Sequence, residues 1–126
     1  MSSIFTKIIN REIPAHIVYE DERTIAFLDI NPIQPGHTLV VAKTEVDHFE
    51  DLPDEDLQAV MATVKKMMRR LREVTGVSRV CLIVEGFDVP HVHVKLVPTN
   101  VPADLHATPR EATQDELAAM AEKLRS

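Results

Sequence analysis

Residues 89–98 read VPHVHVKLVP. Valines dominate the run, giving it strand character, and side chains on a strand alternate between its two faces. Val92, Val94 and Leu96 therefore form an apolar row fit for a core, while His91, His93 and Lys95 share the opposite face. A sheet built this way buries its aliphatic side and gathers two imidazoles and an ammonium on the other, a combination that suits an anion.

The strand's neighbours follow by the same reasoning. RVCLIVE (79–85) is a second β-prone run, joined to the histidine strand by the loop 86–90. Before it, Leu57, Val60, Met61, Val64, Met67, Met68, Leu71 and Val74 recur at helical spacing, predicting a helix of about five to six turns. Pro53 and three acids suit its start and Gly76 its stop. Its methionines fall on the leucine and valine face and read as packing.

Towards the N-terminus, HTLVVAK is a third strand, and His16–Glu20 with Thr24–Asp29 forms a hairpin around an acidic turn. IFTKIIN (4–10) predicts a short helix. At the other end, Thr113 and Glu116 make a capping box ahead of Leu117, Met120, Ala121 and Leu124, so a short C-terminal helix is expected after a proline-bearing loop over 99–112. The expected fold is an α+β domain: a mainly antiparallel five-stranded sheet with one long helix and a short closing one.

Length and charge narrow the function. The 126 residues make a single domain (1–126), with 44% hydrophobic and 27% charged residues. A net charge of −6 argues against a general nucleic-acid or anionic-membrane surface. No stretch has the length of a signal peptide or a membrane span, which points to a cytoplasmic protein without a membrane partner. A lone cysteine, Cys81 in the apolar run VCLIV, excludes an internal disulfide and reads as core filling.

Three chemistries compete for HVHVK. A metal site on His91 and His93, with His37 as a remote third ligand, meets a cation at Lys95 where a ligand would be wanted. A structural role is the default for one histidine but accounts poorly for two histidines and a lysine on one face. Chemistry on a phosphate fits best, because neutral imidazole is nucleophilic near neutral pH.

PHVHVKLVP resembles the signature of the histidine triad (HIT) superfamily of nucleotide hydrolases and transferases, and FLDINPIQPGHTLVVAK resembles the first half of that family's domain. The resemblance implies that His93 attacks the α-phosphorus of a nucleotide ester or phosphoramidate, giving a nucleotidyl-histidine that water resolves. His91 would orient the nucleophile and His37 would stand behind the site as the family's fourth histidine. Asp29 would receive the ribose hydroxyls, and Ile30, Phe5 and Phe27 would line the base pocket, although both phenylalanines also read as core. The implied ligand is a purine nucleotide or nucleoside phosphoramidate, with no cofactor. A homodimer through the long helix and an edge strand is implied too, and the apolar stripe of 57–74 looks long for one small sheet to cover.

The chain departs from the family pattern in three places. Lys95 stands where the third histidine belongs; it can hold a phosphate oxygen, but an ammonium is a far weaker acid than an imidazolium. The loop GFDVPH is shorter than, or different from, the family's glycine-glutamine loop and offers no glutamine or serine to a phosphate; Val84 stands where several relatives have an asparagine, and Phe87 or Asp88 would alter the pocket instead. Ser3, Thr6 and Glu45 occupy positions where many bacterial relatives carry zinc ligands, so no structural metal is expected. The alternative to an enzyme is therefore a nucleotide-binding module with little catalysis.

Overall fold

Ser3 caps the first helix, its Oγ accepting the Thr6 N–H at 3.1 Å. In the computed structural model, which describes residues 2–125, that helix (α1, Ile4–Ile9) is followed by strands β1 (Ile17–Glu20), β2 (Thr24–Leu28) and β3 (Thr38–Ala42). The long helix α2 (Asp54–Thr75), strands β4 (Arg79–Ile83) and β5 (His93–Thr99), and the closing helix α3 (Gln114–Arg125) complete the chain. The strands form one antiparallel sheet in the order β1-β2-β3-β5-β4, the expected α+β architecture.

Helix α2 begins after Pro53 with Asp54, Glu55 and Asp56 in its first turn, where carboxylates complement the helix dipole. Asp56 also accepts from Arg23 at 2.8 Å and from Thr44 Oγ1 at 3.3 Å, tying the helix start to the sheet. The helix ends at Gly76, whose φ of 72° is left-handed and whose N–H donates to Arg72 O at 2.9 Å. Val60, Val64, Met67 and Leu71 pack on Ala26, Val40, Val94 and Leu96. Burial of each such aliphatic side chain contributes roughly 1.5–3 kcal/mol.

Both halves of the capping box form. The Glu116 N–H donates to Thr113 Oγ1 at 3.1 Å and the Thr113 N–H to Glu116 Oε1 at 3.3 Å. Leu117, Ala121 and Leu124 of α3 then join the core under α2. The α2 stripe is thus covered from within the chain by sheet and α3 together, and only its Met61 is exposed. The stripe does not by itself call for a second subunit.

On the opposite face of the sheet, Phe5 and Ile8 of α1 cover Ile25, Phe27, Leu39 and Val41. Strands β2 and β3 are consequently buried along their whole length.

The strand bounds differ from expectation in informative ways. β5 starts at His93 rather than His91 and continues through Pro98. That proline is tolerated because pairing with β3 stops at Leu96, leaving only β4 beside it. β1 and β2 each lose one expected end residue, and Asp29 opens the following loop. Gly36 in that loop has φ of 90°, and a Cβ there would lie 3.3 Å from both Leu71 Cδ2 and Pro98 Cγ. The expected loop 99–112 contains a 3-10 turn at Pro102–His106 and then returns to brace residues 30–32, through Ala112 N–H to Ile30 O at 3.1 Å and Arg110 N–H to Pro32 O at 3.3 Å. Cys81 is half-buried on β4, its Sγ 3.4 Å from Thr99 Oγ1, rather than a core residue. No helix among the described residues is long and apolar enough to cross a membrane.

Candidate active site

The register of β5 on β3 places His93 opposite Val41 and Lys95 opposite Leu39. His93 Nδ1 lies 2.7 Å from the His91 carbonyl oxygen, which can only accept, so Nδ1 carries the proton. In the neutral ring Nε2 is left as the lone-pair atom. Phe5 packs edge-on against this imidazole, with ring centroids 4.9 Å apart and planes at 80°.

His91 does not open onto the same space, contrary to the expectation that all three side chains of the face converge. It precedes the strand and its ring is fully buried. Nε2–H donates to Ala42 O at 2.6 Å, and Nδ1 accepts from the Ser3 hydroxyl at 2.6 Å. Burial holds its pKa below the ordinary imidazole value, consistent with a neutral ring. Around it, Glu45 Oε1 accepts the Ser3 N–H at 2.8 Å and the Thr6 hydroxyl at 2.6 Å. These contacts, the Thr6 hydroxyl first, keep the Glu45 carboxyl below its usual range.

That cluster does not suit a structural metal. Two of its members are hydroxyls already engaged in hydrogen bonds, whereas zinc sites use thiolate, imidazole and carboxylate. Among the described residues no group of three or more His, Cys, Asp and Glu is arranged to hold one.

His93 and Lys95 line a cavity of about 340 Å³. Phe5, Ile8, Phe27 and Leu39 form its apolar wall, so both phenylalanines serve core and cavity at once. Ile30, Asp88 and Asp29 also line it. Phe87 does not; its side chain is 90% exposed and borders a separate cavity of about 480 Å³ with Glu85 and Val92, which reaches His93 as well.

Asp29 Oδ1 accepts the Asn31 N–H at 2.8 Å, and its Oδ2 lies 3.7 Å from His37 Nε2. His37 is buried; its Nδ1 accepts the Ile33 N–H at 3.1 Å. Burial depresses its pKa, with Lys95 and His93 adding to that effect and Asp29 opposing it. Lys95 Nζ stands 3.5 Å from Glu85 Oε1, which also accepts the Phe87 N–H at 3.1 Å. Burial raises the Glu85 pKa, but the Phe87 N–H and Lys95 outweigh it and hold the carboxyl below its ordinary value.

Glu85 gave no signal in the sequence, since its partner lies across the short loop on the next strand. Ser3, Thr6 and Glu45 were visible only as positions where relatives differ.

An antiparallel α+β sheet carries an oriented imidazole on an interior strand, beside an apolar cavity that also holds a carboxylate and an ammonium, which is the arrangement that the resemblance to the histidine triad class of nucleotide hydrolases and transferases implies. The chain belongs to that family: the HIT domain model matches residues 10–102. An uncharacterised HIT-like protein of Methanocaldococcus jannaschii is 45% identical over 100 residues, spanning 75% of this chain and 77% of its own. Adenosine 5'-monophosphoramidase of Saccharomyces cerevisiae is 34% identical over 96 residues, 75% of this chain and 61% of its own. Among solved structures, a HIT-like protein of Bartonella henselae superposes with a TM-score of 0.89 at 29% identity, covering 98% of this chain and 94% of its own. A zinc-bound histidine triad protein of Mycobacterium smegmatis gives 0.83 at 28% identity, covering 99% and 91%.

Proposed function

We propose that the protein cleaves nucleoside phosphoramidates or related nucleotides, by hydrolysis or nucleotidyl transfer, through a nucleotidyl-histidine on His93. The observation that carries this reading is the His91 carbonyl on His93 Nδ1–H, which reserves Nε2 for attack beside a cavity shared with Asp29 and Lys95. The Nε2 lone pair attacks the α-phosphorus, forming a P–N bond. The bond to the leaving amine breaks with its electron pair, and the amine takes a proton from Lys95 or water. Water or another acceptor then attacks phosphorus and frees His93.

The apolar wall of the cavity suits a purine, Asp29 accepts from the ribose hydroxyls, and Lys95 neutralises phosphate charge. Adenosine 5'-monophosphoramidase activity in the yeast relative supports the same substrate class. The test is to mix protein with an adenosine phosphoramidate, quench, and record intact mass together with AMP release. Wild type should form the adduct or turn over, and His93→Ala should do neither; equal turnover by both sinks the reading.

One observation favours a second reading, nucleotide binding with little catalysis. Lys95 replaces an imidazole and is already engaged by Glu85. Tight AMP binding without an adduct, together with turnover by Lys95→His, would select it.

We further propose that the protein works as a homodimer joined at the β4 edge. β4 ends the sheet, and Leu82 and Val84 are exposed there and just beyond it. A monomer by light scattering would refute this.

A further inference from the structure

His37 Nε2 is the one buried side-chain nitrogen or oxygen among the described residues that lacks a hydrogen-bond partner. Because Nδ1 accepts the Ile33 N–H, the neutral ring carries its proton on Nε2, so the unpartnered atom is a donor. Lys95 has no lone pair to offer it. Asp29 Oδ2 stands 3.7 Å from it, a little beyond hydrogen-bond reach. The two residues are also tied through the backbone, Asp29 N–H donating to His37 O at 3.0 Å.

We infer that His37 is a positioning residue that orients the Asp29 carboxylate, so that the contact of Asp29 with the ribose diol depends on the His37 ring. The inference rests on the nucleotide reading above.

The chemistry follows from counting lone pairs. A carboxylate offers about four acceptor positions. The Asn31 N–H takes one on Oδ1, and a shift of less than about 1 Å would give one on Oδ2 to His37 Nε2–H. Each oxygen then keeps one free lone pair, two acceptors side by side, which matches the two donors of a vicinal diol. Leaving a buried donor unbonded is unfavourable, so a ligand that draws Asp29 into this geometry also relieves His37. A nucleotide lacking the diol gains neither contact. Burial keeps the ring neutral, so His37 acts as a dipole and not as a charge.

Calorimetry with AMP, 2′-deoxy-AMP and 2′,3′-dideoxy-AMP tests this on wild type, His37→Leu and His37→Gln. Wild type should prefer AMP to the dideoxy nucleotide by at least about tenfold. His37→Leu should lose most of that preference while its dideoxy-AMP affinity stays within about twofold of wild type. His37→Gln, which keeps an N–H, should restore part of it. An equal loss for all three nucleotides would make His37 merely structural and overturn the inference. If AMP does not bind wild type at all, the nucleotide reading itself has failed.

A second measurement needs no substitution. AMP should move the His37 Nε2 proton resonance downfield and slow its exchange, and dideoxy-AMP should not. Identical responses to both ligands would likewise overturn the proposal.

Discussion

Substituting Ser3 by alanine should destabilise the protein by about 2–3 kcal/mol, although the residue is only half-buried and near the chain start. Its Oγ does two jobs: it accepts the Thr6 N–H as the cap of α1 and donates to His91 Nδ1 at 2.6 Å. Loss of a helix cap costs about 1 kcal/mol. Leaving the buried imidazole nitrogen without a donor costs about 1–3 kcal/mol more. The upper end is not reached because the Thr6 hydroxyl, 3.5 Å from the same nitrogen, can turn from Glu45 and partly replace it. For a domain of this size the sum corresponds to a fall in melting temperature of about 8–12 °C. The chain has no tryptophan, so urea unfolding is best followed by circular dichroism at the helix band. Ser3→Thr keeps the hydroxyl and should stay within about 0.5 kcal/mol of wild type. A Ser3→Ala loss below about 0.5 kcal/mol would refute the reasoning, because neither job would then be carried by Oγ.

Stability should fall as pH drops below the ordinary imidazole value of 6.5, because His37 and His91 have depressed native pKa values while the unfolded chain takes up those protons. Two protons set an upper slope of about 2.7 kcal/mol per pH unit, and urea midpoints that are flat from pH 7.5 to 5.5 would contradict it. Glu85→Gln should tighten AMP binding a few-fold by removing the carboxylate that competes for Lys95; the gain is at most about 1 kcal/mol, since the pair is partly solvated. Weaker binding by calorimetry would mean that Glu85 instead serves to place Lys95. Gly36→Ala should cost about 1–3 kcal/mol in urea unfolding, from left-handed backbone strain and its close approach to Leu71 and Pro98. A neutral result would show that the loop before β3 can shift.

Periodicity carried most of the fold. Alternation in HVKLV (93–97), the three-and-four spacing from Leu57 to Val74 and the Thr113–Glu116 pair each reflect a local rule that tertiary structure did not overturn. Two readings failed where distant segments decide. The face shared by His91, His93 and Lys95 assumed strand geometry from residue 91, but Val92 donates its N–H to Val46 O and the His91 ring turns towards Ser3, 88 residues away in sequence. The apolar stripe of α2 looked too long for the sheet because the sequence does not say that α3 folds back to share it. Asp29 and His37 stood out as residue types in a pattern, yet nothing local shows that their side chains face one another across 3.7 Å.

Phe5 belongs at once to α1, to the core beneath the sheet and to the wall that faces His93. Its edge contacts with Phe27 and both histidines mean that α1 cannot swing away without dismantling one side of the cavity. Occupancy of the cavity and docking of the first helix are therefore thermodynamically linked. A bound ligand should slow amide hydrogen exchange in residues 7–10, far more than in the distal turns of α2, and shield the chain start from proteases.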